Sequence, residues 1–172
     1  MRLNLCWLQR LGSSGGEGSS RAAAAACRRA LELNPNLALA EGWFAAILGC
    51  RGDYDEALQH AGTANRLSPH DTFAIGSFAY AGAAFGAGLY EQSVEWAQKT
   101  VDVTPDFPGG YRYLAGSLAF LGRIEEARTV KDQLLRLMPN EDLRLVRAAL
   151  PSVNPDRMER FVEGMRMAGV PE

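Results

Sequence analysis

Hydrophobic and polar positions follow two alternating patterns along the chain. Residues 55–67 and 91–103 place apolar side chains on one helical face and charges opposite. The segments ahead of such stretches, 38–50, 74–86 and 111–121, are apolar almost all round: the first holds one charge, Glu41, the second none, the third only Arg112. The first pattern predicts amphipathic helices at the surface, the second helices buried on every side. Residues 20–33, with five consecutive alanines from Ala22, read as a further helix whose expected partner is 2–11, with Trp7 on its apolar side. The stretch 12–19 between them, rich in Gly and Ser, reads as a flexible linker.

The tail has its own pattern. A short helix is expected from Glu141 to about residue 150, ended by Pro151. A last helix then starts with Asn154 as cap and Pro155 in its first turn, and stops before Gly169. Met158, Phe161, Val162 and Met165 make one stripe, with Arg157, Glu159, Arg160, Glu163 and Arg166 expected on the opposite, solvated face.

Four prolines, Pro35, Pro69, Pro105 and Pro139, each follow the end of an amphipathic segment and are spaced by 34, 36 and 34 residues. A proline cannot continue a helix and pushes its predecessor toward extended backbone, so each marks a helix end and a turn. Inside each unit a glycine breaks the chain and an acidic start follows: Gly52-Asp-Tyr54-Asp-Glu-Ala57, Gly88-Leu-Tyr90-Glu-Gln-Ser93 and Gly122-Arg-Ile124-Glu-Glu-Ala127. Glycine accepts the left-handed geometry that ends one helix, and carboxylates favour the start of the next. Every unit is therefore helix, turn, helix.

This array resembles the tetratricopeptide repeat (TPR). The unit 108–141 carries the pattern at Tyr111, Leu114, Ala115, Leu118, Ala127 and Pro139, and departs from it at Lys131 and Leu134. The unit 38–71 keeps Phe44, Ala45, Leu48, Ala57, Ala64 and Pro69 but departs at Glu41 and Ala61. The unit 74–107 keeps Tyr80, Ala81 and Pro105, has Ser93 where the family has Ala, and is preceded by a two-residue insertion. The ending from Asn154 to Glu172 is similar to tails that close repeat regions in bacterial signalling proteins with adenylate cyclase or winged-helix domains.

The resemblance implies an all-α, right-handed α-α superhelix: a degenerate N-terminal hairpin at 1–37, three repeats at 38–141, and capping helices at 142–172. It also implies that Ala57, Ser93 and Ala127 are buried where the two helices of a unit cross. The family's first helices line a concave groove. Carried over, the ligand-facing positions are Leu39, Gly42, Ala46, Gly49 and Cys50, then Ile75, Phe78, Gly82, Phe85 and Gly86, then Gly109, Arg112, Gly116, Ala119 and Phe120. Trp43 and Tyr113 lie beside them, so the partner-binding set is Leu39, Trp43, Ile75, Phe78, Phe85, Arg112, Tyr113 and Phe120. The Lys and Asn residues with which some members clamp a terminal carboxylate are missing. Each glycine inside a helix is unfavourable by about 1 kcal/mol relative to alanine. Gly42, Gly82 and Gly116 therefore suggest that something approaches the backbone closely. Two readings of this apolar groove stay open: an apolar helix of a partner or another domain fills it, or the chain's own terminal helix or a second copy does.

Composition narrows the function. Eighteen Lys and Arg against 20 Asp and Glu give a net charge of -2, so no global positive field draws nucleic acid or anionic lipid. Residues 72–90 lack charge, but Ala, Gly and Ser dominate them, as in a buried helix rather than a membrane span. Three separated cysteines, Cys6, Cys27 and Cys50, fit a reducing compartment and neither a disulfide framework nor a zinc site. His60 and His70 are expected at the surface or in a turn, without neighbours at metal-ligand spacing. The acidic pairs 55–56 and 125–126 occupy equivalent helix starts, and no nucleophile signature occurs. The expectation is a non-catalytic cytoplasmic scaffold, without cofactor, metal, nucleic acid or membrane, in a bacterial signalling or regulatory protein. Its partner would be a protein or peptide segment, another domain of the same polypeptide included, and a homodimer is compatible with the sequence. The alternative is the C-terminal regulatory part of an adenylate cyclase whose catalytic domain lies outside this chain.

Overall fold

A computed structural model describes residues 16–149 and 154–172, which form nine helices and no strand. They are α1 (Gly16–Leu33), α2 (Ala38–Arg51), α3 (Tyr54–Leu67), α4 (Ile75–Gly86), α5 (Tyr90–Val103), α6 (Pro108–Phe120), α7 (Ile124–Leu137), α8 (Leu143–Ala149) and α9 (Pro155–Met167). The expected helix at 2–11, with Trp7, and the stop at Pro151 lie outside the described residues. α1 begins earlier than its alanine run, so residues 16–19, read as linker, are helical. Once a helix is nucleated, each added residue closes another hydrogen bond at little further loss.

The chain is an all-α superhelical repeat, and its hairpins follow from the turn chemistry. Gly52, Gly88 and Gly122 have φ of 101°, 78° and 74°, a left-handed geometry that β-carbon crowding makes unfavourable for other residues. The crossing residues Ala57, Ser93 and Ala127 are fully buried. Ser93 is tolerated in that apolar crossing because its hydroxyl donates to Ala81 O at 2.9 Å and accepts from Ser117 Oγ at 2.8 Å. The two-residue insertion lies in the α3–α4 turn, where Ala74 takes a left-handed φ of 52°. The Asp71 carboxylate holds that turn by accepting from the backbone N–H groups of Phe73 and Ile75, both at 2.9 Å.

From α1 to α7 each helix packs on its successor, α9 packs on α6 and α8, and the first helices α2, α4 and α6 also pack on one another as an inner row. Small residues permit this closeness: a β-carbon on Gly42 would stand 2.9 Å from Ile75 Cγ2, and one on Gly49 3.6 Å from Ala83 Cα. α8 buries Leu143 and Val146, and Leu143 N–H donates to Pro171 O at 2.9 Å, which ties the end of the chain to the start of α8.

The Asn154 side chain caps α9 by accepting from the N–H groups of Asp156 and Arg157. Phe161, Val162, Met165 and Ala168 of α9 and the turn beyond it are buried in the largest apolar cluster, with Phe85, Tyr113 and Leu118 of the inner row. Burying a side chain such as Phe161, Val162 or Met165 contributes about 1.5–3 kcal/mol relative to exposure.

Candidate functional site: the inner row and its occupant

The inner row has few side-chain donors or acceptors because its helices are built of small and aromatic residues. Its polar groups are therefore mostly backbone carbonyls. α9 meets them in sequence order: Asn154 N–H donates to Cys50 O of α2 at 2.9 Å. Arg157 Nη2 donates to Gly82 O of α4 at 3.0 Å and to the Tyr113 hydroxyl of α6 at 2.8 Å. Arg160 Nη2 donates to Gly86 O, in the last turn of α4, at 3.1 Å. The cap and the first two turns of α9 thus touch the ends of α2 and α4 and the Tyr113 hydroxyl of α6.

Apolar contacts fix the same register. The Phe161 ring stands edge-on to Phe85, centroids 5.3 Å apart, and tilted on Tyr113 at 5.1 Å. One turn on, Gly164 crosses Gly116: a β-carbon on Gly164 would lie 3.1 Å from the Gly116 Cα and 3.0 Å from Phe120 Cε2. Gly82 is likewise shielded, with Tyr113 Oη 3.0 Å and Arg157 Nη2 3.3 Å from the place of its absent β-carbon. The close approach implied by Gly42, Gly82 and Gly116 thus has its partners in Ile75, in Arg157 with Tyr113, and in Gly164 with the Phe85 ring.

The electrostatics of this seat are unusual. Arg157 is 2% exposed, no ion pair with a carboxylate forms among the described residues, and its Nε has no hydrogen-bond partner. Burial works against its charge, but the Tyr113 and Cys50 side chains beside it outweigh burial and hold its pKa above the ordinary guanidinium value. Burial pushes the Tyr113 phenol up, against the lowering effect of Arg157 beside it.

The predicted partner-binding residues divide. Phe85 and Tyr113 face the inner row's occupant, and that occupant is α9. Phe120 is half-buried, stacked on Tyr90 at 4.7 Å and against Gly164. Ile75 is buried against Gly42, between successive units. Arg112 is buried too, and its Nε and Nη2 donate to the two Glu141 oxygens at 2.6 and 2.9 Å, so it holds the third unit to the turn before α8. Phe78 is half-buried, edge-on to Phe107 at 5.0 Å, Trp43 is half-buried, and Leu39 is 49% exposed.

Two parts of the structure correct the reading of single residues. Arg157, expected on the solvated side of α9, is buried; it stands four residues before Phe161 and seven before Gly164, on their face of the helix, a spacing legible in the sequence. His60 is half-buried instead of at the surface: its Nδ1 meets Glu41 Oε2, and its ring stands on Phe44 at 4.7 Å. The departure of Glu41 from the repeat pattern is thus matched by a partner nineteen positions on.

Among the described residues no three metal-ligating side chains cluster, and no helix is long and apolar enough to cross a membrane. No family model matches the sequence. Solved structures do match in fold. MamA aligns with a TM-score of 0.64 at 15% identity over 88% of either chain. A thermophilic TPR protein of Thermus thermophilus, TTC0263, aligns with 0.64 at 21%, over 95% of this chain and 89% of its own. A fragment of MamA from Desulfovibrio magneticus RS-1 aligns with 0.62 at 20%, over 82% and 79%. These likenesses place the chain in a TPR-like helical repeat fold.

Proposed function

We propose that the chain is a non-catalytic interaction scaffold that receives an apolar helix or segment on its concave inner row, in a cytoplasmic signalling or regulatory protein. The observation that carries this is α9. A helix seated through carbonyl acceptors, ring contacts and a glycine crossing is the interaction such a groove makes with a partner, here within one chain. The partner belongs to another protein or to another domain of the same polypeptide. The tail that resembles cyclase-associated repeat regions is α9 itself, so its role in this chain is to occupy the groove.

A photo-crosslinking amino acid at position 39, where the inner row is exposed, tests the proposal in cells. Position 103, at the exposed end of α5, is the control. Crosslinks from 39 and not from 103 to one defined segment support it; products identical from both positions, or none from 39, contradict it.

A further inference from the structure

We infer that Cys50 is a redox modification site: a hydroperoxide oxidises its thiol to a sulfenate, and the buried Arg157 guanidinium holds that product at the start of α9.

The last turn of α2 brings Cys50 to the cap of α9. The Cys50 carbonyl accepts from Asn154 N–H at 2.9 Å, and the Asn154 side chain accepts from Arg157 N–H at 3.3 Å. One residue earlier, the place of the absent β-carbon of Gly49 lies 3.6 Å from Ala83 Cα, and Ala83 follows Gly82, whose carbonyl takes Arg157 Nη2. Cys50 is thus flanked by the backbone of Arg157 and by the seat of its guanidinium. Its thiol is close enough to act on the charges of both Arg157 and Tyr113. It is half-buried, so it keeps contact with solvent.

Two features of Arg157 favour an anion on Cys50. The guanidinium is 2% exposed and pairs with no carboxylate among the described residues, and its Nε has no acceptor. A thiol offers that nitrogen a weak acceptor, whereas a sulfenate oxygen is a charged one, and charge-assisted hydrogen bonds are about twice as strong as neutral ones. A cation beside a cysteine also favours the thiolate, its nucleophilic form. In the oxidation step the thiolate sulfur attacks one peroxide oxygen, and an S–O bond forms as the O–O bond breaks. The sulfur gives up two electrons, and the departing hydroxide takes the sulfenic proton and leaves as water, hydrogen peroxide being the oxidant. Cys27 is the internal comparison: it is half-buried against the cluster of Phe44 and Leu48, and burial pushes its thiol up.

The test treats the full chain with hydrogen peroxide and dimedone, which traps sulfenates, and maps the labelled peptides by mass spectrometry. Cys50 should gain label about tenfold faster than Cys27 in the folded chain, and the two should react alike in urea. Equal rates in the folded chain, or recovery of Cys50 as a disulfide in place of the trapped sulfenate, would overturn the site. In a folded Arg157→Met chain, labelling of Cys50 should slow by about tenfold through loss of the cation, whereas loosening of α9 alone would expose the thiol and speed it. Unchanged or faster labelling there would overturn the role of Arg157. A last measurement needs no variant. In the unaltered chain oxidised without dimedone, amide exchange across residues 155–167 should slow by about threefold, because the sulfenate supplies the acceptor that Nε lacks. Exchange that is unchanged or faster on oxidation would overturn the hold on α9.

Discussion

Arg112 and Arg157 are both buried in the third unit and its cover, yet burial sets them opposite problems. Arg112 has a carboxylate held by two hydrogen bonds, and the Glu141 side chain is fully buried. Arg112→Met should leave that carboxylate uncompensated and lower stability in urea by about 3–5 kcal/mol, and a second change, Glu141→Leu, should recover most of the loss. If the double variant is no more stable than the single one, the pair does not act as a unit. Arg157 instead meets neutral acceptors, so Arg157→Ala should cost about 1–3 kcal/mol by stranding the Gly82 carbonyl and the Tyr113 hydroxyl. Between helices, Ala127 has no exposed surface, and Ala127→Leu should overpack the α6–α7 crossing by about 1–3 kcal/mol. An unchanged melting midpoint would refute that register.

At the scale of elements, helix ends were the most legible part of the chain, because proline and left-handed glycine act through their own backbones. Gly52, Gly88 and Gly122 end α2, α4 and α6 in or just beyond the last turn, and Asn154 caps α9, all as the sequence predicts. Partnerships across the fold were less legible. Nothing local pairs Glu41 with His60, and the burial of Arg157 depends on carbonyls of a helix some seventy-five residues earlier. The tie between α8 and α9 is a surface matter: Arg147 donates to both Glu159 oxygens, and this hydrogen-bonded pairing holds the Glu159 carboxyl below its ordinary pKa. A depressed carboxylate stabilises above its unfolded pKa, and the contribution disappears as pH falls through the folded value. The protection of α9 amides, taken relative to the intrinsic exchange rate at each pH, should therefore fall modestly on acidification below the ordinary carboxylate range. Glu159→Gln should remove that acid step while leaving global melting at neutral pH nearly unchanged. An acid step that persists in Glu159→Gln would assign it elsewhere.

For the whole molecule, the apolar first helices read as a groove that something covers, with a partner and the chain's own tail matching that pattern equally well; the path of α9 past Phe85 and Tyr113 is not legible in the sequence. Residues such as Phe85 and Tyr113 were legible as inner-row positions; Ile75 and Arg112 were drawn into contacts between units and with Glu141, which repeat register alone does not specify. The central claim is that α9 lies along the inner row of its own chain. Nuclear Overhauser contacts of the Phe161 ring in the full chain test it most directly. The account predicts cross-peaks from Phe161 to both Phe85 and Tyr113, whose centroids stand 5.3 and 5.1 Å away, unchanged on dilution. Absence of both cross-peaks, with α9 amides exchanging at unprotected rates, would contradict it.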